Sequence, residues 1–392
     1  MNHLDLLYGL IRLPWWGYVL VTFSIVQLMF LGITLFLHRE QSHGGLELHP
    51  ALRHFFRFWL WLSSGTVTKQ WVAVHRKHHA FADLPGDPHS PVIFGIKRVL
   101  LEGYELYVAS SRDPELLENY GRGTPDDWLE RNVYSRFSVW GLVGFIALQL
   151  VLFGVPAILM AAVLIAAQPL FAAGVINGLG HYFGYRSFEM PSAATNIVPW
   201  GVIVAGEELH NNHHAFPWSA RFAVQRWEVD MGWAWICVFR ALGLARVLRV
   251  APKPHLAPQR RALDSDTFNA LFTNRMHVLR DYARRVVRPV CRELARREPR
   301  GAVPAIAPKL LVRHPTQLPD EARGALTELL QRYEVLRAVF EFRERLQQVW
   351  NDSNQVRALQ QLRELCAQAD ASGIRALGEF VHRMRAYTPA PG

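Results

Sequence analysis

PWWGYVLVTFSIVQLMFLGITLFL, residues 14–37, is a run of 24 residues without a single charge, and the hexapeptide HREQSH, residues 38–43, follows it directly. A helix of that length measures about 36 Å, which is enough to cross the ~30 Å hydrocarbon core of a bilayer. The tryptophan pair near its start is typical of the aromatic belt at a membrane surface. The run therefore predicts a transmembrane helix that delivers two histidines, His38 and His43, to one membrane face.

Further apolar segments shape the expected topology. An uncharged run interrupted by Gly154-Val155-Pro156 predicts two spans, 137–153 and 156–176, joined as a hairpin. Segment 51–71 is also apolar, but its uncharged part is only 11 residues long, which is too short to cross a bilayer. We therefore expect an interfacial or re-entrant helix there, which keeps the residues that follow it on the side where the first span ends.

Two copies of the pattern H-x-x-H-H stand out, HRKHH at 75–79 and HNNHH at 210–214. On a helix, positions i, i+3 and i+4 share a face, so each copy is expected to aim three imidazoles at one point. With the pair that follows the first span, the candidate metal ligands are His38, His43, His75, His78, His79, His210, His213 and His214. These are more imidazoles than the four ligands of a zinc site, so two metal ions are implied.

The histidine pair at 38–43 requires an irregular helix, because five residues of a regular α-helix are about 140° apart around its axis. We expect the helix to loosen there and to stop at Gly44-Gly45. Since the predicted hairpin returns to the side that it left, all histidine clusters lie on one membrane face. Basic residues such as Arg39, Arg76 and Lys77 lie on that face too, which predicts that it is cytoplasmic.

The N-terminus and the cysteines indicate in which cellular compartment the protein resides. The first 13 residues lack the cationic start and the cleavage site of a signal peptide, so we expect Met1 to remain in the mature protein. Cys237, Cys291 and Cys366 are far apart and fit no disulfide framework. This is typical of a reducing compartment.

Residues 251–392 differ in composition from the rest of the chain. Prolines mark a linker over 251–266, and 267–392 carry apolar residues at helical spacing without a run that could cross a membrane. This region holds 24 lysines and arginines against 15 acidic residues, so it carries nearly all of the chain's net charge of +10. Nine arginines lie between Arg275 and Arg300, which is compatible with contact with anionic lipid headgroups or with a solvated helical bundle. Nucleic-acid binding is a less favoured third option, because helical segments of insertion-sequence transposases look loosely similar but no recognition motif accompanies the charge.

The residue types leave the identity of the metal open, because imidazole binds zinc, copper, iron or nickel. A site at the end of membrane spans faces apolar substrates. Oxidation of an unreactive alkyl chain requires activated oxygen, and iron is a usual carrier of that chemistry. We therefore predict two iron ions and a lipid substrate.

The three clusters resemble the histidine boxes of membrane fatty acid desaturases. HREQSH at 38–43, HRKHH at 75–79 and GEELHNNHH at 206–214 are similar to those boxes in order and spacing, and the likeness extends over residues 14–250. It is strongest to the Δ9 acyl desaturases, bacterial ones in particular. With the predicted spans, the expected fold is an all-α membrane protein that has a desaturase domain at 1–250 with a cytoplasmic histidine-rich di-metal site, followed by a basic, soluble helical extension.

The resemblance also implies site residues outside the boxes. In the pentapeptide NGLGH, His181 would be a ninth iron ligand and Asn177 would hold a metal-bound water. Metal-bound imidazoles usually donate their free N–H group to carboxylates or carbonyls. Candidates for this outer hydrogen bonding are Asp83, Asp87, His89, Glu207 and Glu208.

The implied reaction is an O₂-dependent desaturation, in which two electrons from a donor and one O₂ yield a cis double bond, expected at Δ9, and water. No His-Pro-Gly-Gly signature of a fused cytochrome b5 is present, so the donor is expected to be separate, a ferredoxin or similar protein with its reductase. Animal acyl-CoA enzymes have an Arg-Asp pair before the second box, whereas this chain has Ala73-Val74. We therefore favour an acyl chain in a membrane phospholipid over acyl-CoA, in an integral protein of a bacterial inner membrane.

Two other classes stay open from sequence. A related membrane di-iron hydroxylase or alkane monooxygenase uses a similar histidine set and stops after oxygen insertion. A metal transporter would place its histidines within the spans along a pathway, whereas here they cluster at the predicted cytoplasmic ends.

Overall fold

The computed structural model describes residues 7–259, 262–299 and 301–390, and the chain divides into two compact units. The first unit contains the chain up to Arg186 together with Ser192–Ala251. The second contains Ser187–Pro191 and the chain from Pro252 onward. The expected retention of Met1, and positions 260 and 261 of the predicted linker, lie outside the described residues.

The first unit is predominantly helical. Its helices in chain order are α1 (Trp15–Gly32), continued by the π-helix Ile33–Ser42, α2 (Pro50–Ser64), α3 (Thr68–Phe81), α4 (Pro91–Phe94), α5 (Ile96–Ser111), α6 (Pro114–Tyr120), the π-helix Glu130–Tyr134, α7 (Ser138–Phe153), α8 (Pro156–Ala167), continued by the π-helix Gln168–Leu179, α9 (His210–Ala215) and α10 (Met231–Ala241).

Two of these helices are long and apolar enough to cross a membrane, namely Trp15–Ser42 with 28 residues and Pro156–Leu179 with 24 residues. They extend the predicted spans 14–37 and 156–176 toward the histidines. The remaining predicted span, 137–153, is α7, which is apolar but has only 16 residues.

The structure differs from the single helix expected at 51–71. That segment forms α2 and the first part of α3, and the break between them follows Gly65, whose φ of 65° lies in the left-handed region. Arg53 of α2 pairs with Glu40 at 2.7 Å, and Leu60 of α2 lies against Gly32, so α2 runs antiparallel to the C-terminal half of the first helix. After the break, α3 returns to the histidine-bearing end.

Three short strand pairs depart from the all-helical expectation. In the first unit β1 (Leu46–Leu48) pairs antiparallel with β4 (Ala245–Val247), and β2 (Trp200–Gly201) pairs in parallel with β3 (Val229–Asp230). In the second unit β5 (His255–Leu256) and β6 (Tyr387–Thr388) are antiparallel. Strands of two or three residues are too short to show an alternating hydrophobic pattern, which explains why sequence analysis missed them.

The second unit is a helical bundle built around a large apolar core, with buried Leu271, Tyr282, Leu336 and Leu362 among its members. Its first helix begins at Ser265, inside the predicted linker, which also contains β5. The helices of this unit are α11 (Ser265–Thr273), α12 (Arg275–Tyr282), the π-helix Ala283–Val287, α13 (Arg288–Arg297), α14 (Ala307–Val312), the 3-10 helix Pro315–Gln317, α15 (Asp320–Arg332), α16 (Glu334–Asn351), α17 (Gln355–Ala371) and α18 (Arg375–Arg385).

Candidate metal centre

Nine histidines of the first unit converge in two adjacent groups. Within each group the candidate ligand atoms all lie within 4.8 Å of one another. The first group consists of His38, His43, His75, His79 and His213, and the second of His78, His181, His210 and His214.

The imidazoles point the same ring nitrogen, Nε2, into the groups. In the first group His38 and His213 Nε2 are 2.9 Å apart, and in the second group His181 and His210 Nε2 are 3.0 Å apart. Neighbouring nitrogens on a metal with bonds of ~2.0–2.1 Å are roughly 3 Å apart, so these spacings fit ligands of a shared ion. Five and four inward nitrogens in two groups match two ions rather than one.

Burial favours the neutral form of several of these rings. Loss of contact with water lowers the pKa of His75, His79, His213 and His214 well below the ordinary value, and the neighbouring imidazoles lower it further. A neutral imidazole has a free lone pair on one nitrogen, which is the form that binds a metal.

The π-helical end of the first helix brings His38 and His43 together. The amide of His43 donates to the carbonyl of His38 at 3.2 Å, which is the i to i+5 bond of a π-helix. This wider turn places residues five apart nearly above one another, as a regular α-helix would not. The guanidinium of Arg76 donates to the carbonyls of Gln41 at 2.6 Å and Ser42 at 3.2 Å, which satisfies the end of that helix.

Each H-x-x-H-H triplet divides between the two groups, so the expectation that a triplet aims at one point is wrong. On α3, His75 and His79 belong to the first group and His78 to the second. On α9 the i and i+4 histidines join the second group and His213 joins the first. Positions i+3 and i+4 are about 100° apart around a helix, so one triplet reaches both ions. α3 and α9 thereby link the two groups.

His181 completes the second group, and Asn177 lies nearby. Asn177 lies on the helix that is π-helical to Leu179, the amide of Gly180 donates to the carbonyl of Val175 at 3.1 Å, and His181 lies in the turn that follows. Asn177 lines the same cavity as His75 and His210. Asn177 therefore shares a cavity wall with members of both groups, although the regular i, i+4 helix assumed from sequence is absent.

Three of the predicted carboxylates contact the outer nitrogen, Nδ1, of a candidate ligand. His181 donates to Asp83 at 2.9 Å, His78 donates to Asp87 at 2.9 Å, and His38 donates to Glu207 at 2.8 Å. Such bonds fix the ring orientation and leave Nε2 free for the metal.

The pKa values of two of these carboxyls reflect the same contacts. Burial acts to raise the pKa of Asp83, but the His181 ring and hydrogen bonds from Ser90 and the Ala193 amide outweigh it and hold the pKa below its ordinary value. Burial also opposes ionisation of Asp87, yet the adjacent His78 ring lowers its pKa to about 2. Both carboxyls are ionised at neutral pH.

The other two predicted outer residues behave differently. Among the described residues Glu208 makes no hydrogen bond to a histidine, and its carboxylate accepts the amides of Ile203 at 2.8 Å and Val204 at 2.9 Å. The ring of His89 stacks on His78 with centroids 4.6 Å apart, and its buried Nε2 has no hydrogen-bond partner among the described residues. Glu208 therefore shapes a loop, and His89 supports His78 by packing.

Sequence analysis missed a buried ion pair that joins the first box to Asp230, at the end of β3. Arg39, between His38 and His43, donates to Asp230 at 2.9 Å, and both side chains are fully shielded from water. Gly206 lies against this pair with φ of 106°, and a Cβ there would be 2.4 Å from Asp230. The partners are 191 residues apart in sequence, so no local pattern could have revealed the contact.

A cavity of about 410 Å³ opens beside the histidines. Its wall includes His38, His75 and His210, polar side chains such as Gln70, Arg112 and Gln168, and a larger number of apolar or aromatic side chains. Among them are Ile33, Trp71, Val74, Tyr104, Tyr107, Val139, Leu142, Ala172, Ala173 and Ile176. A cavity with apolar and aromatic side chains in its wall, next to two candidate metal sites, can hold a hydrocarbon chain against them.

Comparison with known proteins agrees with the site. The model of the family "Fatty acid desaturase" matches residues 13–236, and that of a "Transposase" family matches residues 270–390. The chain is 29% identical to Delta-9 acyl-lipid desaturase 2 of Arabidopsis thaliana over 63% of this chain and 78% of that protein. It is 31% identical to the sn-1 stearoyl-lipid 9-desaturase of Anabaena variabilis (57% and 80%) and 30% identical to an acyl-CoA 5-desaturase of Anemone leveillei (57% and 69%). The desaturase match covers more than half of the chain, which therefore belongs to the fatty acid desaturase family of oxidoreductases.

Proposed function

We propose that this enzyme introduces a cis double bond at Δ9 of a saturated acyl chain in an O₂-dependent reaction at a di-iron centre. The observation that carries the proposal is the division of nine inward-facing imidazoles into groups of five and four beside a cavity lined in part by apolar side chains. Two bound irons would supply the oxygen activation that hydrogen removal from an unreactive carbon requires.

The side chains of this protein would hold and orient that centre. His38, His43, His75, His79 and His213 bind one ion, and His78, His181, His210 and His214 bind the other. Asp83, Asp87 and Glu207 fix three of these rings through hydrogen bonds. Asn177, on the cavity wall, holds a water beside the metal sites.

The cavity determines which carbons react. A saturated chain has no polar group near its centre, so only the shape of the enclosing wall can position one carbon pair against the centre. The same wall excludes water, which protects the oxidising site from side reactions. Trp71 stacks on His75 with ring centroids 5.0 Å apart, and therefore positions both a ligand and the cavity wall.

A lipid substrate drawn from the bilayer fits a membrane location for the enzyme. Trp15–Ser42 and Pro156–Leu179 would span the bilayer of a bacterial inner membrane, with the histidines and the basic helical extension on the cytoplasmic side. Reducing equivalents would come from a separate donor, a ferredoxin or similar protein with its reductase.

We favour an acyl chain in a membrane phospholipid as the substrate. Ala73 and Val74, which precede the second box, are buried in an apolar cluster with Leu116, so this position offers no charge to a CoA headgroup. Relatives of this chain are named for acyl-lipid and for acyl-CoA substrates, and acyl-CoA is the alternative carrier.

Expression in a host that lacks desaturases, followed by mass spectrometry of phospholipids and acyl-CoA over time, tests these points. We expect Δ9 unsaturation to appear first in phospholipids. Unsaturation that appears first in acyl-CoA would contradict the phospholipid carrier, and a hydroxylated product without alkene would contradict desaturation. Iron analysis of the purified protein should find about two irons per chain.

A further inference from the structure

α13 in the second unit carries a row of exposed arginines. Arg288, Arg292 and Arg296 are four residues apart, so they lie along one helix face at steps of about 6 Å. None of the three makes a hydrogen bond or an ion pair with the described residues. The one acidic residue of α13, Glu293, pairs with Arg297. The row is therefore an uncompensated line of positive charge.

The fold holds this row away from the core. On the opposite face of α13, Val290 and Cys291 are buried in the apolar core of the second unit. This packing fixes the rotation of the helix about its axis. Arg284, also exposed, lies four residues before Arg288 in the preceding π-helix and extends the line of charge.

We propose that this arginine face binds the anionic phospholipid headgroups of a bilayer. The inference rests on the proposed membrane location of the first unit. Because the second unit follows that unit in the same chain from Pro252, headgroups are always within its reach, at a high effective concentration. Each arginine near an anionic surface contributes about 1 kcal/mol, so three together favour the docked state by about a hundredfold.

The composition of α13 argues against recognition of nucleic-acid bases. Interfaces that stack on bases or read them add aromatic side chains or amides to their basic residues, whereas contact with the phosphate backbone needs basic residues alone. α13 has neither aromatic nor amide side chains, and its exposed positions other than arginine are Pro289, Glu293 and Ala295. A row of positive charges without other recognition groups is typical of non-specific attraction to a negatively charged surface. Because a transposase family matches residues 270–390, nucleic acid is the alternative ligand that the test must distinguish from anionic lipid.

The test uses the full chain in nanodiscs of phosphatidylcholine alone or mixed with phosphatidylglycerol. A fluorescent dye on Ala295→Cys, in a chain with Cys237→Ser, reports exposure of α13 through quenching by acrylamide, a neutral quencher that is neither attracted nor repelled by the charged surface. The remaining cysteines, Cys291 and Cys366, are buried and would not react with the dye. We expect lower quenching in the phosphatidylglycerol discs, and recovery of quenching when salt is raised.

Three variants test whether the arginine row causes the protection from quenching. R288Q/R292Q/R296Q should lose the protection in phosphatidylglycerol discs, and R288K/R292K/R296K should keep it because the charge remains. R323Q/R332Q/R337Q removes the same charge from exposed positions on α15 and α16 and should behave like the parent chain. Circular dichroism melting identifies any variant that fails to fold, and the salt dependence of the parent chain tests the inference without a variant.

Equal quenching in both disc types, or protection that survives in the glutamine variant, would overturn the inference. Protection by duplex DNA in neutral discs, without an effect of phosphatidylglycerol, would overturn it in favour of nucleic acid. Failure of the chain to enter neutral discs would instead contradict the proposed membrane location. Entry without dependence on phosphatidylglycerol would contradict only the lipid contact of α13.

Discussion

Replacement of Asp83 by asparagine tests whether outer carboxylates control the metal site. Asp83 accepts hydrogen bonds from His181 Nδ1 at 2.9 Å, from the Ala193 amide at 2.6 Å and from the Ser90 hydroxyl at 2.6 Å. Its backbone has φ of 64°, in the left-handed region that asparagine tolerates better than most residues. The asparagine side chain would keep an acceptor oxygen, and the serine hydroxyl can rotate to accept from the new amide. The substitution therefore removes the charge beside His181 and little else.

The expected magnitude follows from that single change. A hydrogen bond to a charged group contributes about 1.5–3 kcal/mol and a neutral one about 0.5–1.5 kcal/mol, so the loss is about 1–1.5 kcal/mol. This corresponds to roughly a tenfold lower metal affinity, the lower end of the ~10–100-fold losses typical of such outer contacts. We expect the loss in the group that contains His181, measured as iron retained in competition with a graded chelator. Iron in the group of His38 and His43 should be retained as in the parent chain.

Glu208→Gln is the matched control, because Glu208 is as buried as Asp83 but contacts only backbone amides near its own loop. Burial raises the pKa of Glu208, whereas the pKa of Asp83 is held below its ordinary value, so loss of the charge should cost less at Glu208 than at Asp83. Asp87→Asn, which removes the charge beside His78, should reproduce the effect of Asp83→Asn. If Glu208→Gln releases as much iron as Asp83→Asn, or if Asp83→Asn releases none, the reasoning is refuted.

Three further changes test other parts of the site. His75→Ala removes one inward nitrogen from the first group, so desaturation should be lost and iron should fall from about two toward one per chain; full activity would contradict the assignment. Gly206→Ala places a Cβ 2.4 Å from Asp230 in a left-handed backbone, and we expect a loss of about 3 kcal/mol in thermal unfolding, whereas an unchanged melting temperature would count against the clash. Ala172→Trp fills part of the cavity, so conversion of the longest acyl chains should fall while iron content stays constant; equal conversion of all lengths would show that the chain lies elsewhere.

Much of the first unit was predictable because its signals are local and strong. A run of 24 uncharged residues leaves few alternatives to an apolar helix, and the structure has such helices at Trp15–Ser42 and Pro156–Leu179. The histidine spacing predicted clusters of imidazoles, which the structure brings together. The spacing of His38 and His43 also predicted that the helix between them departs from regular geometry, and that segment is π-helical.

Other features depend on contacts that no local pattern encodes. In 51–71 the small and polar stretch SSGTVT, residues 63–68, marks a break in the hydrophobic pattern, but only the tertiary structure reveals that the chain reverses there. Arg39 reads as a surface cation beside a histidine, yet it is buried against Asp230. Glu207 and Glu208 are adjacent in the chain, but one accepts from His38 and the other from backbone amides, and this division depends on the loop conformation.

The two long apolar helices share one irregularity that explains how the site is assembled. Both change from α to π geometry where they approach the histidines, at Ile33–Ser42 and at Gln168–Leu179. Long π-helical stretches are rare, so they persist only where other contacts stabilise them. In the first helix Arg39 pairs with Asp230, and Thr34 donates to Glu207 at 2.6 Å, so the contacts that hold the π-helix come from the loops around the third box. The helix geometry that positions the first box therefore depends on the third box being in place, and the two groups of histidines form as one structural unit.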